Sequence, residues 1–490
     1  MSKVLFITDV APTGSMTAGR ILENLAVHFS EKSEIYSVVI GNPYLEYELV
    51  SDRFRSRIFW TQSPQEDWSK FKLIAKLGEF CTRFEVHLLK KRIQSLFEIL
   101  EPDIVILVLQ SQTVIKVASG LNYKKTVLVS MVWDDFSWWA KANALAMKDF
   151  QRCLNQLHEV LGRSTVTWVP SNEMGLELSR NVKDFGDWSV VFPETHYANL
   201  KIRPSWGARQ EPTFTIGFAG QLYASEELNH LMQAIRMFNK ANIEQINLRV
   251  YSKEPFNECD PIVKNMGFFS RTGLIDELST CDLLFLPYPF DNKFESIVKT
   301  SFPSKLSDYC ATQVPILYYG PGNSAVSKIL SSLKHPYVLN TASATNLLHF
   351  LKSHFLRNPT DSKVCTANQK LRDDIFDPEN NRKLVTGLYR LHLAPKTQSP
   401  IFQVNEGVYH WFRKSLTRSL WRRLSFLKRI VIRFQSFELR VRSYLKNVIK
   451  KSLKFRTSKH ISFASIPPEI NKSLVTRQLP PSLEKIWPTR

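Results

Sequence analysis

The residues best suited to chemistry in this sequence lie in the stretch 300–317, which reads TSFPSKLSDYCATQVPIL. Pro303 predicts a helix start that leaves Ser304, Lys305 and unpaired backbone N–H groups at the positive end of the helix dipole. That end suits a diphosphate. Asp308 follows Ser304 by one turn on the same face, where it could accept from ribose hydroxyls while Lys305 neutralises phosphate. The alternative is an ordinary capped helix with an exposed lysine.

Two adjacent carboxylates, Asp134 and Asp135, directly follow a predicted strand at residues 126–131. Three tryptophans surround them in the sequence: Trp133, Trp138 and Trp139. An apolar setting can raise a carboxyl pKa for acid or base work, and indole rings can stack on sugar faces. The position at a strand's carboxyl end favours a catalytic role. The alternative is a helix N-cap pair, with the tryptophans filling a core between domains.

Two glycine-containing turns also follow predicted strands. One comprises Gly217–Gly220 and Gln221, and the other is the loop at residues 11–15, which includes Gly14 and Ser15. Glycine permits close backbone approach, and a helix N-terminus offers N–H groups to an anion. The loop at residues 11–15 is neither a P-loop nor a GxGxxG motif, so its alternative is a plain turn between strand and helix, and the two glycines of the other turn are by themselves a weak signal.

These loops must be positioned by parallel sheets. Short, continuously apolar runs alternate with helical patterns, which indicates strands covered on both faces. Strands are predicted at residues 4–8, 36–40, 104–109, 126–131, 166–169, 213–218, 247–251, 283–287 and 315–319. A polar, proline-containing segment at 201–212 predicts a linker. We therefore expect two doubly wound domains, 1–205 and 206–395, facing a cleft.

The basic charge belongs to the end of the chain. Residues 401–460 hold 16 Lys and Arg against two acids, a net charge of 16 − 2 = +14. This segment therefore carries most of the net charge of +20 of the 490-residue chain. Apolar residues there recur at helical spacing, which predicts an amphipathic helix on an anionic membrane surface. The alternative is that this stripe packs back onto the domains. Nucleic acid is not predicted as a partner, because nucleic-acid arms rarely need a continuous apolar stripe. Residues 461–490 are proline-containing and predicted to be disordered.

The sequence also predicts where the protein works. Six scattered cysteines without a CxxC pair favour reduced thiols rather than disulfides or zinc. The N-terminus lacks the apolar core of a signal peptide, and no run approaches the roughly 18 apolar residues of a membrane span. We expect a cytoplasmic protein, peripheral at the inner face of a membrane.

Over residues 1–395 the chain resembles the GT-B glycosyltransferase superfamily, particularly its retaining, nucleotide-sugar-dependent bacterial branch. Three segments carry the resemblance: IGFAGQLY (216–223), GLIDELSTCDLLFLPY (273–288) and FPSKLSDYCATQVPIL (302–317). The resemblance implies a GT-B fold with two Rossmann-like domains. It also implies a donor site in the second domain, with Gly220, Gln221, Ser304 and Lys305 at the diphosphate and Asp308 at the ribose.

The chain departs from that family at several positions. Thr300 stands where the first acid of the two-acid donor motif would be, and Gln221 replaces an arginine. Asp134 or Asp135 stands where a His-Asp element often follows the strand. The loop with Gly14 resembles the family's glycine loop only loosely.

Taken together, these features predict a glycosyltransferase. It would move a sugar from a nucleoside-diphosphate sugar to a hydroxyl acceptor, a glycan or lipid-linked intermediate presented at a membrane. Asp134 or Asp135 would position or deprotonate the acceptor hydroxyl. No DxD motif is evident in these loops, so neither a metal ion nor a cofactor is expected. The alternative is a non-catalytic GT-B relative that binds sugars or assists assembly.

Overall fold

A computed structural model describes residues 2–13, 17–41, 57–61, 63, 72–123, 126–143, 145–195, 213–242, 245–257, 260–355 and 362–391. Gly14, Ser15 and the linker at 201–212 lie outside the described residues. The predicted segments 401–460 and 461–490 also lie outside them.

Among the described residues, the first sheet has seven strands, all parallel, in the order β3-β2-β1-β4-β5-β6-β7. They are β1 (Ser2–Thr8), β2 (Ser33–Ile40), β3 (Ile58–Thr61), β4 (Ile104–Val108), β5 (Val127–Met131), β6 (Val166–Val169) and β7 (Asp187–Val190). Every residue of β4 is buried, as expected for an Ile- and Val-rich strand with both faces covered. Because the strands are parallel, their carboxyl ends share one edge of the sheet.

In the described part of the chain, the second sheet has six parallel strands in the order β10-β9-β8-β11-β12-β13. They are β8 (Thr213–Ala219), β9 (Gln245–Tyr251), β10 (Val263–Asn265), β11 (Leu283–Pro287), β12 (Ile316–Tyr319) and β13 (Val338–Leu339). Along β11, Leu283 and Phe285 join one apolar cluster and Leu284 and Leu286 join another. The alternation shows that this sheet is also covered on both faces.

Helices cover the sheets. They are α1 (Thr17–Ser30), α2 (Lys72–Leu100), α3 (Gln112–Ala118), α4 (Phe136–Ala142), α5 (Met147–Gly162), α6 (Asn172–Asn181), α7 (Ser225–Ala241), α8 (Arg271–Leu278), α9 (Glu295–Thr300), α10 (Lys305–Ala311), α11 (Ala325–Ser332), α12 (Ala344–Phe355), α13 (Ser362–Lys370) and α14 (Pro378–Leu391). The predicted fold class, two doubly wound α/β units, is confirmed for the part of the chain described. Among these helices, none is long and apolar enough to cross a membrane.

The last described helix, α14, returns to the first sheet. Val385 and Leu388 share an apolar cluster with Phe29 of α1. The hydroxyl of Tyr389 donates to the Phe29 carbonyl at 3.3 Å, and Asn381 Nδ2 donates to the Phe192 carbonyl at 2.9 Å. The chain therefore crosses between its two halves twice, and the predicted boundaries near 205 and 395 stay a prediction.

The loops beyond the strands bring the two halves into contact. Thr195 Oγ1 donates to the Ser307 carbonyl at 3.0 Å, and Lys328 of α11 pairs with Glu173 of α6 at 3.0 Å. Ser171, which caps α6, donates to the carbonyl of Thr300 at the end of α9. These contacts hold α9 and the start of α10 against the carboxyl edge of the first sheet.

Candidate active site

Lys305, the first residue of α10, has a buried ammonium group. Its Nζ has no hydrogen-bond acceptor among the described residues. It lies 4.7 Å from the ring centroid of Phe218 and 5.0 Å from that of Tyr223, so its contacts are cation–π contacts. Burial lowers the pKa of Lys305 from 10.5 to about 7. A buried ammonium without an acceptor is costly, and an anionic ligand would relieve that cost.

Gly220 directly follows β8, the first strand of the second sheet along the chain, and lies beside this ammonium. Its φ of +121° is one that L side chains rarely adopt, and a Cβ there would stand 3.4 Å from Lys305 Nζ. Its N–H donates to the Tyr251 carbonyl at 3.0 Å. Gln221 follows at the surface and begins a short 3-10 turn, without a side-chain capping bond. The backbone therefore passes close to Lys305, as a phosphate-side turn would.

Ser304 immediately precedes Lys305 and already has helical angles, with φ −60° and ψ −25°. Its side chain makes no capping bond to α10, and its carbonyl accepts from the Ser307 hydroxyl at 2.8 Å. The sequence-predicted residues Gly220, Ser304 and Lys305 thus lie together.

Asp308 is buried, and two arginines hold its carboxylate. Arg271 Nε, at the start of α8, donates to Oδ1 at 3.0 Å. Arg20 Nη1, in the first turn of α1, donates to Oδ1 at 3.1 Å and to Oδ2 at 3.3 Å. The ion pair with Arg20 joins the two halves of the chain. The sequence pattern assigns neither arginine a role. Arg20 lies 288 residues from Asp308 along the chain, so spacing in the sequence does not bring the two together.

Arg20 reaches this position because α1 packs tightly on the loop after β1. A Cβ on Gly19 would stand 2.6 Å from the Ala11 carbonyl oxygen, closer than real Cβ atoms come. Only 7% of Arg20 is exposed, and its Nε and Nη2 have no hydrogen-bond partner among the described residues. Burial lowers the pKa of Arg20, and the Asp308 carboxylate opposes that effect.

Asp134 lies three residues beyond β5 and faces the second half of the chain. Its Oδ1 accepts from the Ser301 hydroxyl at 2.8 Å, and its Oδ2 accepts from Gln110 Nε2 at 3.2 Å. Burial raises the pKa of Asp134, the bonds from Ser301 and Gln110 lower it, and the neighbouring Asp135 raises it further. A carboxylate with a raised pKa is the better base at neutral pH.

Asp135 has a different task. It is the N-cap of α4, where its oxygens accept from the backbone N–H of Ser137 at 3.0 Å and of Trp138 at 3.2 Å. It also accepts from the hydroxyl of Ser296 in α9. The local geometry of Asp135 matches the capping alternative weighed from the sequence, and Asp134 is the carboxylate of the pair better placed for chemistry.

Two tyrosines connect Asp134 to Lys305. The hydroxyl of Tyr288 donates to the Ser301 carbonyl at 3.5 Å, next to the Ser301 hydroxyl that bonds Asp134. The rings of Tyr288 and Tyr223 meet edge to face with centroids 6.5 Å apart, and Tyr223 in turn contacts Lys305. The two sequence-predicted sites therefore form one continuous cluster across the contact between the two halves.

Thr300 occupies the position at which the family resemblance places a first acid. It is 1% exposed, and its hydroxyl donates back to the Ser296 carbonyl at 2.8 Å within α9. It therefore presents no carboxylate. Among the described residues, no group of three or more His, Cys, Asp or Glu side chains could hold a metal ion.

No protein-family model matches the chain, and no curated protein sequence matches it either. Several solved structures are similar to it. Sucrose-phosphate synthase from Thermosynechococcus elongatus is 13% identical, with a TM-score of 0.56 over 80% of this chain and 99% of that one. Anabaena HepE in complex with UDP and glucose is 11% identical, with a TM-score of 0.54 over 80% of this chain and all of that one. The lipopolysaccharide outer core galactosyltransferase WaaB is 13% identical, with a TM-score of 0.51 and the same coverage.

Identities this low establish the fold alone. The chain has the GT-B fold, with two Rossmann-like units, and the resemblance stated from its sequence is confirmed at that level.

Proposed function

We propose that this chain is a glycosyltransferase that moves a hexosyl group from a nucleoside-diphosphate sugar to a hydroxyl acceptor. The observation that carries the proposal is Lys305, whose buried ammonium has no acceptor among the described residues and lies beside Gly220 in a GT-B fold. The titles of similar structures support the donor class: HepE holds UDP and glucose, and WaaB is a galactosyltransferase.

In the proposed reaction the bond from the anomeric carbon to the diphosphate oxygen breaks, and negative charge develops on the leaving diphosphate. Lys305, protonated once that anion is bound, would stabilise this charge together with backbone N–H groups near Gly220 and Ser304. These groups are fixed before the reaction, so no solvent must reorganise. Gln221 lies at the same turn and would contact the diphosphate from the surface side. No metal ion or cofactor is part of this proposal.

Asp134 is the proposed acceptor-side base. As the new bond forms between the anomeric carbon and the acceptor oxygen, the acceptor proton would pass to its carboxylate. Ser301 and Gln110 hold that carboxylate in place. Asp135 would act indirectly, by fixing the start of α4.

Asp308 remains the proposed ribose ligand. Its Oδ1 already accepts from Arg20 and Arg271, whereas Oδ2 accepts the longer bond from Arg20. A carboxylate oxygen has two lone pairs, so Oδ2 retains room for a ribose hydroxyl.

The second candidate is a non-catalytic relative that binds nucleotide sugars without transferring the sugar. The observation that favours it is Thr300, which leaves the first acidic position without a carboxylate. A thermal-shift screen of nucleotide sugars followed by an assay for released nucleoside diphosphate separates the two. Binding with turnover supports the transferase, and binding without turnover under any acceptor condition supports the relative.

The basic segment 401–460 would hold the enzyme on an anionic inner membrane face, where a lipid-linked glycan acceptor is presented. Its support is the charge and apolar periodicity of the sequence. The cytoplasmic, peripheral location is part of the same proposal.

A further inference from the structure

We infer that Arg20, a residue of the first half of the chain, is a direct ligand of the donor's diphosphate and supplies a second cation there in addition to Lys305. This inference rests on the proposed function. Its starting point is the turn after β8, where Gln221 provides no charge and Lys305 is the one cation in contact with Gly220 among the described residues.

Arg20 has buried hydrogen-bond donors that no acceptor among the described residues uses. Its side chain is more than nine-tenths buried, yet Nε and Nη2 have no hydrogen-bond partner in the described part of the protein. Unsatisfied donors on a buried charge are strongly unfavourable. An arginine retained for an ion pair with Asp308 alone would leave this cost uncompensated, so a ligand with two acceptor oxygens would account for it.

The guanidinium of Arg20 uses one edge for Asp308 and leaves the other edge for a ligand. Nη1 is the nitrogen that bonds Asp308. Nε–H and the near N–H of Nη2 are the parallel pair on the opposite edge, which is the fork that binds two phosphate oxygens at once. Arg20 can therefore keep its bond to Asp308 while its other edge accepts a phosphate group.

Arg20 lies near the start of α10, in a group of side chains with excess positive charge. Arg20 bonds Asp308, and Asp308 lies three residues after Lys305 on one face of α10, within neighbouring distance of it. Arg20 and Arg271 together carry two positive charges against the single carboxylate of Asp308. Arg20, Arg271 and Asp308 together therefore carry one net positive charge, and a protonated Lys305 would add another.

The consequence is that donor binding couples the two halves of the chain. The nucleotide would be held by α10 of the second half and by α1 of the first. The buried edge of Arg20 that carries Nε and Nη2 must become accessible for this, while Nη1 keeps its bond to Asp308.

The test uses inorganic pyrophosphate as the probe, in EDTA at constant ionic strength, with affinity measured by calorimetry on the full chain. Arg20→Gln should weaken pyrophosphate binding at least about tenfold relative to the unmodified protein. Arg20→Lys, which keeps the charge but loses the fork, should fall between them. The matched control is Arg382→Gln, because Arg382 pairs at the surface with Glu31, the residue directly after α1. It should bind pyrophosphate as the unmodified protein does.

Two results would overturn the inference. One is that the unmodified protein does not bind pyrophosphate at millimolar concentration, and the other is that Arg20→Gln binds it within twofold of the affinity of the unmodified protein. Thermal unfolding of each variant without ligand shows whether it is folded, and Arg20→Lys carries the test if Arg20→Gln is not. The fate of the proposed function is separate. Pyrophosphate binding that depends on Arg20, without turnover of any nucleotide sugar, keeps this inference and removes the transferase. If Arg20→Gln still transfers sugar and its pyrophosphate affinity is unchanged, the transferase proposal stands and the inference about Arg20 falls.

Discussion

Replacing Lys305 by methionine should stabilise the ligand-free protein while removing its affinity for a nucleoside diphosphate. Methionine keeps an apolar chain of similar length against Phe218 and Tyr223 and removes the buried ammonium. The ammonium has no hydrogen-bond acceptor among the described residues, so no bond to one of them is lost. A residue whose removal strengthens the fold but abolishes binding is typical of a functional site.

The magnitude follows from the lowered pKa of Lys305, from 10.5 in the unfolded chain to about 7 in the folded protein. Between these values the unfolded chain binds more protons than the folded one, so stability rises with pH. The cost of Lys305 is complete below pH 7 and disappears as the pH approaches 10.5. Each pKa unit is worth about 1.4 kcal/mol, so the stability gap between the variant and the unmodified protein should shrink by about 3 kcal/mol from pH 6.5 to 9.5.

Urea unfolding of both proteins at pH 6.5 and 9.5 measures this gap. Lys240→Met, at an exposed position in α7, is the matched control and should show no such change with pH. A gap that is the same at both pH values would refute the burial argument. So would a Lys305→Met protein that is less stable than the unmodified one at pH 6.5.

Three further predictions concern the pair Asp134 and Asp135, Asp308, and the basic segment 401–460. Asp134→Asn should lower turnover at least about a hundredfold with nucleotide affinity nearly intact, whereas Asp135→Ala should mainly lower stability, by about 1 kcal/mol, as loss of a helix cap does; kinetics and thermal unfolding of both variants separate the two roles. Asp308→Ala should weaken nucleoside-diphosphate binding by about 1.5–3 kcal/mol in calorimetry, and unchanged affinity would remove the ribose assignment. The full chain should float with anionic liposomes at low salt, and a chain lacking residues 401–490 should not; flotation that survives the truncation would contradict the membrane proposal.

The parts of the fold that the sequence predicted are those with a continuous apolar pattern. Residues 104–109 and 283–287 are predicted as strands because both faces are buried, and the structure places β4 and β11 there. The edge strands β10 and β13 have only three and two residues. Runs that short give no periodicity to detect.

The site was predictable where its residues are close together in sequence. Lys305, Ser304 and Asp308 share one helix turn, so spacing alone groups them. Arg20 joins them only in the folded chain, because its pair with Asp308 depends on how the two halves meet. The choice between Asp134 and Asp135 had the same limit, because the distant partner Ser301 and the capping bonds of Asp135 decide it.

The proposed activity of the cluster joining Lys305 to Asp134 is the transfer of a sugar from a nucleotide. Its most direct test is the release of nucleoside diphosphate from a panel of nucleotide sugars, in EDTA, with hydroxyl acceptors that include lipid-linked glycans. We expect release by the unmodified protein for at least one donor, reduced at least about a hundredfold in both Lys305→Met and Asp134→Asn. Release that is equal in the three proteins, or no release with any donor that binds, would contradict it.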